Sequence, residues 1–435
     1  MSNTLKATRE PLPGSAIEAI IEGLLESAKD VNPKDLAPGR KAPVTAVNGT
    51  SGNDLLVGTK GIESFAGGAG IDKLSFANEG GPKGVAVSLA AGMLVDSWGN
   101  LEAVSGVEIV IGTKKDDVIF GSKDADYLVG GGGNDILAGD VGFDEAYGGE
   151  GEDAMYGGDG SDYFVGGKGN DHFDGGNGFD LVDYSDEGGL TGVTVNLDTG
   201  KVVDSYGGLD TFVNIERVRG TDYVDSLLGN SGNNMFEGGG GNDTLRGEAG
   251  DDVLWAGFGN DVVDGGAGDD ALSGGRGDDA IDGGAGVDTL DYAADLGWLG
   301  VSVNLATGAA EDAWGSVDKI ANVENVTGTA LNDWIMGDKG ANVLTGGAGN
   351  DTLTGGAGAD VFVFNPNDGA DRINDFSPKE DKIDLRGFGF ASKEEALKFA
   401  VADELGMRLD FGARGSVTLV DVNIKDAGTL GLILA

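Results

Sequence analysis

A nine-residue pattern, Gly-Gly-x-Gly-x-Asp-x-apolar-x, recurs through most of the chain and restricts what it can fold into. Residues 346–354 form one copy without departures. The glycines allow a loop with positive φ angles, the Asp supplies a carboxylate oxygen, and the apolar residue points inward from a short strand. One copy can neither bury its apolar side chain nor surround an ion, so neighbouring copies must do both together.

The copies keep one register across four blocks. The blocks cover residues 49–75, 112–183, 220–291 and 328–363 and contain 23 copies. The sixth position is Asp in 20 copies, and the exceptions are Glu63, Asn234 and Asn342. Two copies complete one flattened coil with a short strand on each side, so copies i and i+2 stack on the same edge. The repeat region is therefore expected to be all-β.

Three segments separate the blocks and have closely similar sequences. They cover residues 76–111, 184–219 and 292–327. Each is as long as four copies of the nine-residue pattern, so the register survives across them, and a larger repeat begins at residues 76, 184 and 292. The equal spacing predicts that these widened segments continue the coil, and the alternative is a hairpin looped out of it.

Each widened segment contains an alternating Val-x-Val-x-Leu run, which predicts a half-buried strand. An aromatic residue occupies the same point in each copy: Trp98, Tyr206 and Trp314. We interpret these aromatics as larger core residues where the coil widens. The alternative interpretation is a platform on which a ligand stacks.

The ends of the chain lack the glycine pattern. Apolar residues at helical spacing between Ile17 and Leu25 predict a short helix near residues 15–28, followed by a linker. The predicted division is residues 1–48 as N-terminal helix and linker, 49–363 as the repeat region, and 364–435 as a β-rich C-terminal cap. Such a cap would shield the open end of the coil, since an exposed sheet edge invites aggregation.

The net charge of the chain limits the kinds of partner that it can bind. Asp and Glu number 74 against 29 Lys and Arg, which gives a net charge of −45. That charge argues against nucleic acid and against anionic membrane surfaces, since both would be repelled. The acids recur in register instead of in blocks, which favours ion binding over a disordered acidic tail. The chain has no Cys and a single His, His172, so zinc and copper sites lack a ligand set.

The stacking of copies predicts rows of carboxylates along both edges of the coil. Asp135 and Asp153 would continue one row, and Asp144 and Asp162 the opposite one. Stacked strands lie about 4.8 Å apart, and carboxylates at that spacing repel each other. A divalent ion between adjacent turns relieves the repulsion, and glycine carbonyls can complete the six or more oxygens that calcium prefers over magnesium.

The predicted ligands to several Ca²⁺ ions are the sixth-position aspartates and the first glycines of clean copies. The aspartates are Asp54, Asp72, Asp117, Asp126, Asp135, Asp144, Asp153, Asp162, Asp171, Asp180, Asp225, Asp243, Asp252, Asp261, Asp270, Asp279, Asp288, Asp333, Asp351 and Asp360. The glycines are Gly130, Gly148, Gly166, Gly238, Gly265, Gly274, Gly346 and Gly355. Because the core is only one apolar residue deep per copy, metal binding should supply much of the folding free energy.

The repeats closely resemble those of the RTX (repeats-in-toxin) family of Gram-negative secreted proteins. The resemblance implies a parallel β-roll, a right-handed β-solenoid, that binds calcium through the loop Asp and glycine carbonyls. Residues 358–364, 373–376 and 381–385 look like the C-terminal region of that family. In family members this region carries an uncleaved signal for type I secretion, so the resemblance implies the type I secretion machinery as a partner and an extracellular location.

Catalytic motifs are missing from the sequence. A single His cannot form a His-Glu-x-x-His zinc site, and there is no Gly-x-Ser-x-Gly elbow. The segment before the repeats, 1–48, is too short for a catalytic domain, and no apolar run is long enough for membrane insertion.

The sequence therefore predicts a non-catalytic, calcium-binding extracellular protein of a matrix, a surface layer or an adhesion system. One alternative is a host-directed or accessory secreted effector. The other is a glycan-binding or enzyme-like surface on the widened segments.

Overall fold

The computed structural model describes residues 44–434, so the helix predicted near 15–28 lies outside the described residues. Regular structure in the described part is nearly all β, as the sequence predicts. The helical elements are α1 (Lys393–Ala396) and the 3₁₀ turns Arg386–Phe388, Leu397–Phe399, Gly412–Arg414 and Ile424–Thr429. The described residues form two compact units, residues 44–182 with 208–215 and residues 183–207 with 216–434.

The first unit consists of short strands in two mostly parallel sheets. Its strands are β1 (Val44–Asn48), β2 (Leu55–Val57), β3 (Ile62–Ala66), β4 (Lys73–Ser75), β5 (Ala86–Ser88), β6 (Met93–Val95), β7 (Leu101–Ser105), β8 (Ile109–Ile111), β9 (Val118–Ser122), β10 (Tyr127–Gly132), β11 (Ile136–Val141), β12 (Glu145–Glu150), β13 (Ala154–Asp159), β14 (Tyr163–Lys168), β15 (His172–Asn177), β16 (Leu181–Asp183) and β19 (Leu209–Val213).

Strand pairing confirms that two copies make one coil. Leu128 of β10 pairs with Ala146 of β12, and Leu137 of β11 pairs with Met155 of β13, all in parallel register. Within each block, odd-numbered and even-numbered strands thus stack in separate sheets. The apolar eighth residue of each copy points into the space between the sheets, and Leu128 and Leu137 are fully buried there. This arrangement is the parallel β-roll that the repeat pattern predicts.

The widened segments combine the two arrangements that the sequence left open. In one sheet the coil continues, because β4 pairs directly with β8 across the whole segment, Leu74 opposite Val110. In the other sheet, β7, β6 and β5 form an antiparallel meander between β3 and β9. The extra strands stay within the sheet instead of looping out, since each antiparallel neighbour satisfies the same backbone hydrogen bonds as a parallel one.

The interpretation of the segment aromatics as core residues is wrong. Trp98 and Trp314 are only half-buried, and Tyr206 is 41% exposed. Each lies in a turn instead of a strand, where its backbone N–H donates to the Oδ1 atom of the Asp two residues earlier, for example Asp96 for Trp98 at 3.0 Å. The turn directs these side chains outward, so they do not fill the coil.

The second unit repeats this construction. Its strands are β17 (Thr194–Asn196), β18 (Lys201–Val203), β20 (Arg217–Arg219), β21 (Ser226–Leu228), β22 (Met235–Gly240), β23 (Thr244–Ala249), β24 (Val253–Phe258), β25 (Val262–Ala267), β26 (Ala271–Arg276), β27 (Ala280–Ala285), β28 (Thr289–Asp291), β29 (Ser302–Asn304), β30 (Ala309–Glu311), β31 (Val317–Ala321), β32 (Asn325–Thr327), β33 (Trp334–Met336), β34 (Val343–Thr345), β35 (Thr352–Thr354), β36 (Val361–Val363), β37 (Ala370–Ile373), β38 (Lys382–Asp384), β39 (Ala400–Asp403), β40 (Gly406–Asp410), β41 (Ser416–Val420) and β42 (Gly431–Ile433).

The C-terminal part of the second unit extends both sheets of the coil. Strand β37 continues one sheet beyond β35 and pairs with β41, and β38 continues the other beyond β36 and pairs with β42. The helix α1 begins at Ser392, whose hydroxyl accepts from the Glu395 N–H at 3.2 Å. The Glu395 carboxylate in turn accepts from the Ala391 N–H, so this end of the helix is capped from both sides. The predicted division of the chain at residues 48 and 363 stays a prediction.

The one-residue core should dominate stability in the presence of calcium. Leu128→Ala removes a fully buried side chain, and we expect a loss of about 2–5 kcal/mol. Leu55→Ala is the matched control, since Leu55 is 63% exposed and should change stability by no more than about 0.5 kcal/mol. Chemical denaturation at saturating calcium measures both. Equal losses would contradict the inward orientation of the eighth residue of each copy.

Candidate metal centres

The sixth-position aspartates form continuous rows along the edges of each unit. The backbone N–H of Asp135 donates to the Oδ1 atom of Asp153 at 2.8 Å, and that of Asp144 donates to Oδ1 of Asp162 at 2.9 Å. In the second unit, Asp243 donates in the same way to Asp261. These side chains are almost completely buried. Each carboxylate therefore uses one oxygen to bind the preceding coil.

The loops fall into two conformations that differ at their second residue. In one kind, here called open loops, this residue has a positive φ, for example 109° at Gly131. Open loops begin at residues 67, 130, 139, 148, 157, 166, 175, 238, 247, 256, 265, 274, 283, 346 and 355. Glycine adopts this conformation at no steric cost. The loops at 139 and 247 adopt it with Asp140 and Glu248, at φ of 88° and 74°.

In the other kind, here called closed loops, the second residue satisfies the sixth residue directly. The N–H of Thr113 donates to Asp117 Oδ2 at 2.5 Å, and its hydroxyl donates to the same carboxylate. Equivalent backbone donors are Thr50 to Asp54, Ser122 to Asp126, Thr221 to Asp225, Thr329 to Asp333, Asn230 to Asn234 and Asp338 to Asn342. In the first closed loop after a widened segment the other oxygen also accepts, as Asp117 Oδ1 does from the Val85 N–H at 2.6 Å. The second closed loop of a block needs only one acceptor oxygen for its own backbone donor, which explains why Asn can replace Asp at residues 234 and 342.

In twelve of the open loops the second carboxylate oxygen is buried without a hydrogen-bond partner. These Oδ2 atoms belong to Asp72, Asp135, Asp144, Asp153, Asp162, Asp243, Asp252, Asp261, Asp270, Asp279, Asp288 and Asp351. A buried polar atom without a partner costs about 1–3 kcal/mol, and more when it is charged. The residues at these positions thus fit a cation, whereas the carboxylates of closed loops already have their hydrogen bonds.

In many open loops the Oδ2 atom and a carbonyl oxygen of the next coil lie around the same point, beside the first glycine. A methyl group added to Gly130 would overlap Asp135 Oδ2 and would lie 2.8 Å from the carbonyl oxygen of Gly148. The first glycine is therefore required by space, and its carbonyl faces the loop of the preceding coil. The same holds for the carbonyl oxygens of Gly130, Gly166, Gly238, Gly265, Gly346 and Gly355. Gly274 lies against Asp279 Oδ2 in the same way.

The donor atoms at these positions are all oxygens. Within residues 44–434, no three acidic or histidine side chains are placed to hold a metal ion by themselves. Backbone carbonyls must then supply most of the ligands, with one or two carboxylates per ion. Calcium accepts such flexible, carbonyl-rich shells, whereas magnesium requires a tighter octahedron. His172 lies apart from these donors, with its Nδ1 atom 2.8 Å from the hydroxyl of Thr211.

Closed loops occupy the same place in every block. The first two loops of every block are closed, and they begin at residues 49, 58, 112, 121, 220, 229, 328 and 337. An open loop always has another loop of the same block two copies before it, so an ion can lie between two loops. The first loop at each edge of a block lacks that neighbour, and its own second residue supplies the hydrogen bonds instead.

The rows of carboxylates extend beyond the nonapeptides, which the sequence did not predict. The N–H of Asp72 donates to Glu108 Oε2 at 2.9 Å across the first widened segment, and Asp288 donates to Glu324 in the third. Further members are Glu102, Asp210, Asp318, Asp371 and Asp381. The one signal in the sequence is the Glu that recurs at the same point of each larger repeat.

Burial and mutual repulsion change the acidity of the rows. Burial raises the pKa of Asp135 from an ordinary value near 3.8 to about 9, and repulsion from Asp153 and Asp117 adds to the effect. Burial likewise raises the pKa of Asp351 to about 8 and that of Asp144 to about 7. Without a cation, these carboxyl groups therefore bind protons near neutral pH.

The fold and the loops define a parallel β-roll whose open loops present only oxygen donors to a candidate cation. A family model described as RTX calcium-binding nonapeptide repeat (4 copies) matches residues 47–75, 103–137, 111–146, 147–182, 219–254, 228–263, 255–290 and 327–362. The chain belongs to this family of RTX repeat proteins, as its sequence predicts. The family marks it as a calcium-binding protein of a secreted type.

Other comparisons add little. One similar solved structure is the crystal structure of the extracellular lipase LipA from Serratia marcescens. Its sequence is 21% identical to that of this chain, and the TM-score between the two structures is 0.22. The match covers 74% of this chain and 40% of that chain, so this chain spans well under half of the lipase's length. A TM-score of this size supports no argument about the present protein. No curated protein matches the chain. No helix within residues 44–434 is long and apolar enough to cross a membrane.

Open and closed loops should respond differently to the loss of one charge. Asp153→Asn, in an open loop, should lose about 1–3 kcal/mol of stability in calcium and little in chelator, because the lost interaction is with the ion. Asp126→Asn, in a closed loop, should have the same small effect in both, since Asn234 and Asn342 fill the equivalent position of later blocks naturally. Denaturation with calcium and with chelator measures both variants. A calcium-dependent loss for Asp126→Asn equal to that for Asp153→Asn would contradict the distinction.

Protons should partly replace calcium. The pKa of a folded-state carboxyl such as Asp135 lies above its unfolded value, so protonation stabilises the fold fully below about pH 4, and this contribution is lost as pH rises through about 6–9. In chelator, far-UV circular dichroism should therefore show increasing β-structure as pH is lowered from 8 to 5. Half-folding should also require less calcium at the lower pH, since protons already stabilise part of the folded population. An apo spectrum that does not change with pH would be inconsistent with buried carboxylates.

Proposed function

We propose that this chain is a non-catalytic secreted protein that folds on binding extracellular calcium and serves in a matrix, a surface layer or an adhesion system. One observation carries the proposal: successive open loops bury carboxylate oxygens, such as Oδ2 of Asp135 and Asp153, that have no hydrogen-bond partner. Such atoms make the folded state unfavourable until a cation is bound. Folding is thereby linked to the calcium concentration of the compartment.

The magnitudes support this linkage. Two carboxylates about 4.8 Å apart repel by roughly 3–4 kcal/mol at an effective dielectric constant of about 20. Extracellular calcium modules bind with Kd of about 10⁻⁴–10⁻³ M. At about 1 mM calcium each site then contributes roughly 0.4–1.4 kcal/mol, and a dozen sites contribute about 5–17 kcal/mol. That sum is comparable with the whole stability of an ordinary domain, about 5–15 kcal/mol.

The same linkage fits export in an unfolded form. Cytoplasmic calcium is far below the range that extracellular modules bind, so the rows of carboxylates would keep the chain unfolded there. Folding would follow when the chain reaches millimolar calcium. The resemblance of residues 358–385 to the C-terminal region of exported relatives supports the type I secretion machinery as the partner in this step. The chain has no Cys whose oxidation would be needed after export.

The non-catalytic assignment rests on side-chain chemistry. The chain has one His, and its Nδ1 atom pairs with Thr211 on a neighbouring strand. The perturbed carboxyl groups are spread evenly along rows instead of being gathered at one cleft, which is typical of ion binding.

Exposed aromatic residues favour glycan binding as a second candidate function. Tyr206 is 41% exposed in the second widened segment, and Trp298 is 68% exposed in the third. Aromatic rings of this kind can stack on sugar rings. A glycan array probed with the wild type and with Tyr206→Ala and Trp298→Ala variants would separate this candidate from a purely structural role.

Fractionation of the producing cells tests the proposal. A matrix or surface component should be retained on cells in millimolar calcium and should be released by chelator in a form sensitive to protease. A variant with two open-loop changes, Asp135→Asn and Asp153→Asn, should be released in calcium as well. The matched control carries two closed-loop changes, Asp54→Asn and Asp126→Asn, which leave an acceptor oxygen for the N–H groups of Thr50 and Ser122, and it should be retained. Complete release of the wild type into calcium-containing medium would instead favour a secreted effector.

A further inference from the structure

A second kind of acidic site lies in the first unit, beside the closed loop that begins at Gly58. It is formed by Glu63, Glu79 and Glu102, here called the acidic pocket. Glu63 and Glu102 are each only 4% exposed, and Glu79 is half-buried. Glu63 is one of the three positions where the repeat lacks its Asp, so the repeat pattern predicts no site here.

Each carboxylate of the acidic pocket has one oxygen bound and one oxygen without a hydrogen-bond partner. Glu102 Oε1 accepts from the N–H of Glu63 at 2.8 Å, and Glu79 Oε2 accepts from the Ser97 hydroxyl at 2.6 Å. Glu63 Oε1 accepts from the Thr59 hydroxyl. The remaining atoms, Glu63 Oε2, Glu79 Oε1 and Glu102 Oε2, are buried and unpartnered. In this respect the pocket differs from other closed loops, where Thr satisfies the carboxylate.

The geometry of the loop explains how three carboxylates fit. Glu79 Oε1 lies against the Cα atom of Gly58, the place that the sixth-position carboxylate occupies at other first glycines, for example Asp54 Oδ2 at Gly49. The additional methylene of Glu63 instead carries its carboxylate toward Gly61. Two acidic side chains thus occupy one loop, and Glu102 joins them from strand β7.

Nothing in the described part of the chain neutralises these charges. None of the ion pairs formed by residues 44–434 includes a member of the acidic pocket. Burial raises the pKa of Glu102 to about 8, and repulsion from Glu63 and Asp96 adds to the effect. Buried charges without partners are costly, so the pocket needs either protons or a cation.

We propose that the acidic pocket is a calcium site separate from the open loops, with Glu63, Glu79 and Glu102 each supplying one oxygen. Within residues 44–434 no three acidic side chains already converge closely enough to hold an ion, so a bound ion would draw the three carboxylates together. Backbone oxygens of the Gly58–Gly61 loop would supply the other ligands. Calcium affinity rises with the number of charged ligands. A pocket with three carboxylates therefore binds calcium more tightly than an open loop, and it fills first as calcium increases.

Comparison with the third widened segment shows why we place the proposed calcium site in the first one. The residues at the same places are Asp279, Asp295 and Asp318, and Oδ2 of Asp279 and of Asp295 are again unpartnered. Asp318 Oδ2, however, accepts from the hydroxyl of Tyr292 at 3.2 Å. Phe76 holds the place of Tyr292 in the first segment and has no hydroxyl, so Glu102 keeps its second oxygen available.

Hydrogen exchange of the full chain during a calcium titration tests the pocket locally. Peptides covering residues 93–105 report on the pocket, and peptides covering 130–150 report on open loops. We expect the pocket peptides to become protected at lower calcium than the loop peptides. Glu79→Gln and Glu102→Gln should raise the calcium midpoint of the pocket peptides about tenfold or more, because each removes one of three charges. The loop peptides should be unaffected.

Glu152→Gln is the matched control, since Glu152 is exposed on a loop of the same unit. If Glu102→Gln does not fold, the half-buried Glu79 still provides a tolerated variant. Pocket protection that is independent of calcium would mean that protons hold the carboxylates, and it would overturn the proposal. So would equal midpoints for Glu79→Gln and the control. The inference rests on the proposed function in one respect, that the protein meets extracellular calcium. If calcium does not protect the loop peptides, the proposed function is refuted. If calcium protects the loop peptides but not the pocket peptides, only this site is refuted.

Discussion

The structure depends on carboxylate oxygens that are buried without hydrogen-bond partners along the open loops. One oxygen of each Asp is used to bind the coil before it, as in the 2.8 Å contact between Asp135 N and Asp153 Oδ1. The other oxygen lies among glycine backbone atoms where only a small ion can meet it. Because the core is a single apolar residue deep, these charges are large relative to the hydrophobic term. We therefore propose that cation binding and folding are one process.

The second residue of each loop decides whether that process requires an ion. A glycine with positive φ, such as Gly131, leaves the carboxylate open, whereas Thr113 donates its N–H and hydroxyl and closes the site. Closed loops occur at the start of a block, where no loop of the same block lies two copies earlier in the chain. The substitution of Gly by Thr, which looks like decay of the pattern, is thus a local replacement of the ion by hydrogen bonds.

The sequence was sufficient for the elements that depend on register. The coil made of two copies, the inward residues such as Leu137 and the rows through Asp135 and Asp144 all follow from the nine-residue period. The antiparallel meander of β5, β6 and β7 did not follow, because a length of four copies preserves the register whichever way the extra strands run. Trp98 was wrongly assigned to the core because its position in a turn depends on a hydrogen bond to Asp96, which the nine-residue period does not reveal. Glu102 was missed because its partner, Glu63, lies 39 residues earlier in the chain.

Calcium-saturated crystals offer the most direct measurement, an anomalous-difference map at a wavelength where calcium scatters anomalously. We predict peaks beside the Oδ2 atoms of open-loop aspartates, for example Asp135 and Asp153, and none beside Asp117 or Asp225 in closed loops. Ions at the open loops alone would establish that stacked carboxylates are joined by shared cations. The absence of peaks at open loops, or peaks of equal height at both kinds of loop, would contradict that conclusion.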